Sequence, residues 1–214
     1  MKRATLLRTT IGLLAGLAAA CLAYIRIIRP WHLHWGATAA EVQRALPGDK
    51  LVRDASLVAT RAVTIHAPPG AVWPWLLQMG YRRAGWYSYD AIDNGGVHTS
   101  RIIPELQHLS VGDTLLTGPT GGFRVEELHP ERSLVLLIRG ERAGLGGDIS
   151  ATIVLEPLAE RQTRLILRLR ARFSGFGGRL YGVFFDVGDF VMVRKMLLGI
   201  KERAEISREH QLAM

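Results

Sequence analysis

The stretch Arg164-Leu165-Ile166-Leu167-Arg168-Leu169-Arg170-Ala171-Arg172 and the run that follows it, residues 178–209, decide the fold. In the first, Leu165, Leu167, Leu169 and Ala171 share one parity, while Arg164, Arg168, Arg170 and Arg172 share the other. Alternation with period two is a strand with one covered face. In the second, Leu180, Val183, Phe184, Val187, Phe190, Val191, Met196, Leu197, Ile200 and Ala204 recur at helical spacing. Lys201-Glu202-Arg203 and Arg208-Glu209 keep the end of that run polar, so a long amphipathic helix closes the chain.

Working backwards, short strand-like segments succeed one another. They are Val111 to Leu116, Phe123 to Leu128, Leu134 to Arg139 and Ala151 to Leu155. Gly118-Pro119-Thr120-Gly121-Gly122 and His129-Pro130-Glu131-Arg132 punctuate them, and a Gly-rich loop runs from Gly140 to Gly147. Short connections between neighbours imply an antiparallel sheet with one covered face.

Near Thr60 a strand begins, with Arg61, Val63 and Ile65 on one face and Ala62, Thr64 and His66 on the other. Pro68-Pro69 ends it and presets a helix over Ala71 to Met79, with Pro74 in its first turn and Gly80 as its C-cap. Pro104 to Leu109 reads as a single helical turn. Strands grouped together with helices at the ends give an α+β class. The arrangement this implies is a curved antiparallel sheet wrapped around the C-terminal helix, which encloses space that suits a small molecule.

The N-terminus is different in kind. From Thr9 to Ile25 no charged residue occurs, and Leu6, Leu7, Ile27 and Ile28 extend the apolar run. A spanning helix needs roughly 17–25 such residues. Lys2, Arg3, Arg8, Arg26 and Arg29 lie in residues 1–30 without an acid, so they supply five of the eight net positive charges. The basic balance is therefore a membrane-flank feature before it is a nucleic-acid one. Tyr24, Trp31 and Trp35 stand where an interfacial aromatic belt would lie.

Ala18-Ala19-Ala20 also resembles a signal-peptidase site, and Ala20-Cys21 the end of a lipoprotein signal. Against both, Leu22, Ala23, Tyr24 and Ile25 continue the apolar run past the cut. We read an uncleaved, single-pass anchor over residues 9–28 in a bacterial cytoplasmic membrane. Three basic residues before the span and two after it favour the folded domain outside. The organisation is an anchor at 1–30, a connector at 31–59 and a folded domain at 60–214. In the connector, Thr38-Ala39-Ala40-Glu41 is a capping box opening a short helix from Ala39 to Leu46, ended by Pro47-Gly48-Asp49.

Several stretches together resemble the SRPBCC proteins of bacteria, the START-like, polyketide cyclase-like, helix-grip family. They are Ala67-Pro68-Pro69, Val72-Trp73-Pro74-Trp75-Leu76, Gln78-Met79-Gly80, and Gly85-Trp86-Tyr87-Ser88-Tyr89-Asp90 with Asn94. Ile103-Pro104-Glu105-Leu106-Gln107, Val111-Gly112-Asp113 and Arg194 to Lys201 continue the likeness. So, upstream, do Trp35-Gly36-Ala37-Thr38, Glu41-Val42 and Leu46-Pro47-Gly48-Asp49. The resemblance covers most of residues 35–209 and is to an uncharacterised subgroup. It implies a deep hydrophobic cavity between the sheet and the C-terminal helix, in a superfamily whose functions range from lipid transfer to cyclisation.

Candidate site residues follow. Tyr87, Tyr89 and Asp90 form the best polar cluster, and the resemblance puts them near the cavity mouth, where an acid or base could shift a proton. The bland alternative is that the aromatics plug the core and Asp90 caps a helix. Trp73 and Trp75 point to different faces of their helix, one to pack on the sheet and the other to line the pocket or touch lipid. We take Trp75, Trp86, Tyr87, Tyr89, Asp90, Tyr181, Phe184 and Met192 as candidate ligand contacts. The wider aromatic set Phe173, Phe176, Tyr181, Phe184, Phe185 and Phe190 divides between core and cavity.

Other chemistries have little support. One cysteine, Cys21, excludes a disulfide framework and a Cys-based zinc site. His32 and His34 are the only closely spaced histidines among His32, His34, His66, His98, His108 and His129, and no metalloprotease motif accompanies them, so no metal is expected. Gly140 to Gly147 lacks the Lys-Ser/Thr ending of a phosphate loop. Ser88 and Ser100 lack a nucleophile-elbow context. The arginine face at 164–172 reads as a solvated outer face paired with Glu on neighbouring strands. It has no interleaved aromatics for stacking, so no nucleic acid is expected.

The expectation is a membrane-anchored domain binding or carrying a lipid, isoprenoid or polyketide, with no cofactor. A cyclase- or dehydratase-like enzyme using Tyr87, Tyr89 and Asp90 is one alternative. A structural or partner-binding module with a filled cavity is the other.

Overall fold

The computed structural model describes residues 2–140, 147–159, 161–173 and 175–212. Its α-helices are α1 (Lys2–Ala23), α2 (Arg29–Leu33), α3 (Ala39–Gln43), α4 (Pro69–Leu77), α5 (Asp90–Asp93) and α6 (Gly175–Leu212). Its strands are β1 (Leu57–Ile65), β2 (Thr114–Leu116), β3 (Gly122–His129), β4 (Ser133–Ile138), β5 (Ile149–Ala159) and β6 (Gln162–Ala171). The strands make one curved sheet in the order β1-β6-β5-β4-β3-β2, antiparallel at every pairing. The chain is α+β, as the period-two and helical stretches require. β6, the strand of alternating Leu and Arg, lies between β1 and β5.

The inner face of the sheet is apolar. Leu165, Leu167, Leu169 and Ala171 of β6 pack there with Ala59, Val63 and Ile65 of β1 and with Leu134, Leu136 and Ile153. Helix α6 crosses this face, contacting β1 and α4 and burying Met196, Leu197, Ile200 and Ala204. Helix α4 opens at Pro69, two residues before the expected start, which places Pro74 inside the helix rather than in its first turn. Its C-cap is Gln78, and Gly80 instead takes φ +125° in the following turn.

The outer face is not the solvated arginine surface that alternation predicts, because residues 36–53 lie across it. Arg168 is buried; its guanidinium donates to the carbonyls of Glu41, Val42 and Arg44 at 2.7–2.8 Å and to Asp49 at 2.9 Å. Those carbonyls belong to the C-terminal end of α3, which has no intrahelical donors left for them. Arg164 donates to both oxygens of Glu41, at 2.7 and 2.9 Å, and to the Gly36 carbonyl at 2.6 Å. Arg170 holds the Val52 and Arg53 carbonyls. The capping box is formed: the Glu41 amide donates to Thr38 Oγ1, and the Thr38 amide to Glu41. The helix it opens ends at Gln43, short of Leu46, because these arginine contacts take over its last carbonyls. Under the connector, Leu46, Ala62 and Ile166 form a small second core.

At the N-terminus, α1, a π-helical turn at Tyr24–Ile28 and α2 run on continuously. The segment Ile11–Leu33, with mean hydropathy 2.1, is long and apolar enough to cross a membrane, and its apolar window is not buried against the domain. A signal sequence meets the same description. The hairpin loop expected at Gly140 to Gly147 lies, from 141 to 146, outside the described residues, as do the side chains of Phe176, Leu180 and Val183.

Candidate ligand-binding cavity

Between the sheet and α6 lies a cavity of about 370 Å³. One wall is the sheet: Leu136 and Ile138 of β4, Ile149 and Ile153 of β5, and Leu167 and Leu169 of β6. The other is α6, through Tyr181, Phe185, Asp189, Met192, Val193 and Met196. Trp86, Ser88, Asp93, Thr117 and Phe123 close one end. An apolar concavity of a few hundred Å³ with a few placed polar groups is the usual form of a small-molecule site.

The aromatic end is held by hydrogen bonds and ring contacts. Trp86 Nε1 donates to the Leu116 carbonyl at 3.0 Å, and the indole meets Phe123 edge-on at 5.9 Å. Ser88 Oγ donates to Met192 Sδ at 3.4 Å, tying this loop to α6. The Ser88 amide donates to Asp93 Oδ2 at 3.1 Å. Asp93 is itself buried, and its Oδ1 makes no hydrogen bond. Burial raises the Asp93 carboxyl above the ordinary range and Asp90 adds to this, while the Ser88 and Trp86 amides pull it back.

A second carboxyl reaches the cavity from α6. Asp189 accepts from Arg61 Nη1 at 2.6 Å, with both side chains enclosed. Arg61 Nε donates to the His32 carbonyl at 2.9 Å, and its guanidinium lies 5.5 Å from the centre of the Phe190 ring. Burial raises the Asp189 carboxyl, and the Arg61 guanidinium opposes the shift. One turn earlier Asp186 accepts from Arg29 Nε at 2.7 Å, and its Oδ1 lies 3.8 Å from His32 Nδ1. Helix α6 therefore meets the end of the N-terminal helical segment through buried carboxylates, Asp186 reaching a half-exposed Arg29 and Asp189 an enclosed Arg61.

Of the candidate ligand contacts, the fold brings Trp86, Tyr181 and Met192 to the cavity wall. Trp75, Tyr87, Tyr89, Asp90 and Phe184 lie elsewhere among the described residues. Trp75 is fully buried in the core beneath α4, and Tyr87 packs edge-on against it at 5.9 Å with its hydroxyl donating to the Trp75 carbonyl at 2.9 Å. That burial raises the Tyr87 phenol above its ordinary value. Tyr87 holds φ at +58° and approaches α6 at Gly199, where an added Cβ would sit 2.4 Å from the Tyr87 carbonyl oxygen. Tyr89 is 43% exposed, and Asp90 pairs with His98 at 2.8 Å on the surface. Phe184 is 71% exposed, on the face of α6 turned away from the sheet.

Ser88, Asp93, Thr117 and Asp189, polar side chains that do reach the cavity, are absent from the candidate set. Asp189 had a readable signal, since two acids three residues apart interrupt the apolar run of α6. Arg61 had one as well, because it shares a strand face with Val63 and Ile65. Asp93 had none, since it sits inside a turn sequence whose direction depends on packing. Among the described residues no cluster of three or more His, Cys, Asp or Glu side chains is arranged to hold a metal ion.

No family model and no curated protein matches the chain. Solved structures similar to it include protein CV1439 from Chromobacterium violaceum, 21% identical with a TM-score of 0.39, covering 69% of this chain and 96% of that one. Protein NE0264 from Nitrosomonas europaea is 15% identical with a TM-score of 0.46, covering 73% of this chain and 99% of that one. DynU16, described as a putative protein in the dynemicin biosynthetic locus, is 14% identical with a TM-score of 0.41, covering 65% of this chain and 45% of that one.

Proposed function

We propose that this chain is a helix-grip domain of the SRPBCC type, tethered to a bacterial membrane by residues 9–28, that binds or carries a hydrophobic small molecule such as a lipid, isoprenoid or polyketide. The observation that supports this reading is the cavity of about 370 Å³ between sheet and α6, largely apolar on both long walls, with Ser88, Asp93, Thr117 and Asp189 among its polar contacts. A water-filled apolar space of that size is unfavourable, and cargo that displaces the water gains hydrophobic free energy. Native mass spectrometry of the full chain, released from detergent, tests the proposal. A stoichiometric apolar adduct is expected. A bare mass that persists after incubation with bacterial lipid extract would overturn it. Ala151 of β5 also lines the cavity, and Ala151→Phe, which adds volume there, is expected to remove the adduct while leaving the chain folded.

Asp93 supports a second reading, in which the site is that of an enzyme of the cyclase or dehydratase kind. A buried carboxyl with a raised pKa beside bound cargo is a candidate proton donor. The proton-transfer role considered for Asp90 then falls to Asp93. Asp93→Asn is expected to abolish turnover and keep cargo if the site is catalytic, and to leave cargo transfer unchanged if it only binds.

A further inference from the structure

A second cavity, of about 550 Å³, lies where the N-terminal helix meets the domain. Ala20, Cys21, Tyr24 and Ile25 form one wall. Leu57 at the start of β1, Phe173 after β6, and Gly182 on α6 form the other. Asp186 and Arg29, bonded to each other, close its polar end.

The space is separated from the inner cavity by aromatic rings. Phe173 lines the outer groove, and Tyr181 and Phe185 line the inner cavity. The three rings are mutually packed, with centroids 5.3–5.9 Å apart. Gly182 makes this possible, since a Cβ there would lie 2.9 Å from Phe173 Cδ2.

The surroundings fit a bilayer. One wall of the groove is the apolar helix itself, whose largely exposed residues 11–25 would carry a surrounding bilayer up to the groove. Arg29–Asp186 and the edge-on contact of Trp31 with Phe190 hold α6 beside the end of that helix. There α6 exposes Tyr181, Phe184, Val187 and Val191, a single stripe at helical spacing, and the N-terminal segment exposes Ile25, Ile28 and Trp31. Such a stripe beside a span is the form of an interfacial helix face.

We propose that the groove between the N-terminal helix and the first turns of α6 holds a hydrocarbon chain of a bilayer lipid, and that cargo passes from it into the inner cavity across the partition of Phe173, Tyr181 and Phe185. This rests on the membrane-anchored binding reading given above. It adds the side from which the cavity fills and the groups that separate bilayer from cargo.

The full chain, reconstituted in vesicles of phosphatidylcholine carrying a diazirine in the acyl chain, tests this. After irradiation, adducts are mapped by peptide mass spectrometry. Adducts are expected on Leu57 and Phe173 in addition to those on the span. Ala20→Trp fills the groove from an exposed helix position, so it is expected to remove the Leu57 and Phe173 adducts and spare those of the span. Tyr181→Ala thins the partition at a half-exposed ring and is expected to increase labelling of the inner wall at Leu167 and Met192. Adducts confined to the span, or Leu57 and Phe173 adducts that survive Ala20→Trp, would overturn the groove site. Inner-wall labelling unchanged by Tyr181→Ala would overturn the passage. Native mass spectrometry of the same preparations separates the two proposals: retained cargo without groove adducts sinks only the groove, and groove adducts without cargo sink only the inner cavity.

Discussion

Replacing Arg61 by Met tests whether α6 is fastened to β1 by charge. The Arg61 side chain is fully enclosed, and its Nη1 donates to Asp189 at 2.6 Å. Its Nε donates to the His32 carbonyl, and its Nη2 is buried without a partner. Removing one member of a buried pair leaves the other charge without compensation, at a cost of about 3–5 kcal/mol. Loss of the His32 contact adds about 1 kcal/mol. Arg61→Met is therefore expected to destabilise the domain by about 4–6 kcal/mol at pH 7. Asp189 modifies this figure, because its carboxyl is already raised by burial and rises further without Arg61. A raised folded pKa makes the folded state bind the proton more tightly, so stability is lost as pH rises above the unfolded value. The variant should thus lie closer to the parent at pH 5 than at pH 7. The double variant Arg61→Met with Asp189→Leu removes both charges and the unpartnered Nη2. Apolar replacement of a whole buried pair is often neutral or stabilising by about 1–4 kcal/mol, so the double variant should recover most of the loss. Guanidinium unfolding of the full chain in detergent, followed by tryptophan fluorescence at both pH values, reads all three. A single variant within about 1 kcal/mol of the parent at pH 7, or a double variant as unstable as the single, would refute the reasoning.

Three further outcomes are expected. Glu41, held by Arg164 and its capping hydrogen bonds, has its carboxyl lowered to about 2. Its contribution is present above the unfolded value near 4.5 and is lost as pH falls towards 2. Glu41→Gln should remove a stability increment on the order of 2 kcal/mol at pH 7, after allowance for solvent screening, and flatten the acid limb of a stability–pH profile. Gly36 holds φ at +72°, and a Cβ there would sit 2.1 Å from the Ala62 carbonyl oxygen. Gly36→Ala should cost at least about 2 kcal/mol in chemical unfolding, since the backbone strain adds to a contact that cannot relax. Asp93→Asn removes a buried carboxyl whose raised pKa disfavours the folded state above the unfolded value. It should leave stability at pH 4 little changed and raise it at pH 7, measured by thermal unfolding.

Much of this architecture is carried by local pattern. The Leu/Arg alternation of residues 164–171, the Pro-bounded α4, the Thr38–Glu41 capping box and the apolar stripe of α6 each follow from interactions within a few residues. The lone apolar run at the N-terminus follows from composition. The other features depend on which segments meet. Arginines on the outer sheet face looked solvated because the carbonyls that cover them belong to α3, more than a hundred residues away in the chain. Tyr87 and Asp90 looked like partners because they are close in sequence, yet Tyr87 turns into the core at a left-handed φ while Asp90 turns to the surface and His98. Asp93 turns inward only because the Ser88 amide and the end of the cavity fix that turn. Phe184 and Phe185 are adjacent in an apolar run, and a 100° step around α6 sends one to the cavity and leaves the other exposed. Hydrophobic period settles what kind of element a segment becomes; which side chain faces a cavity is settled by the element packed opposite, and that partner is distant in sequence.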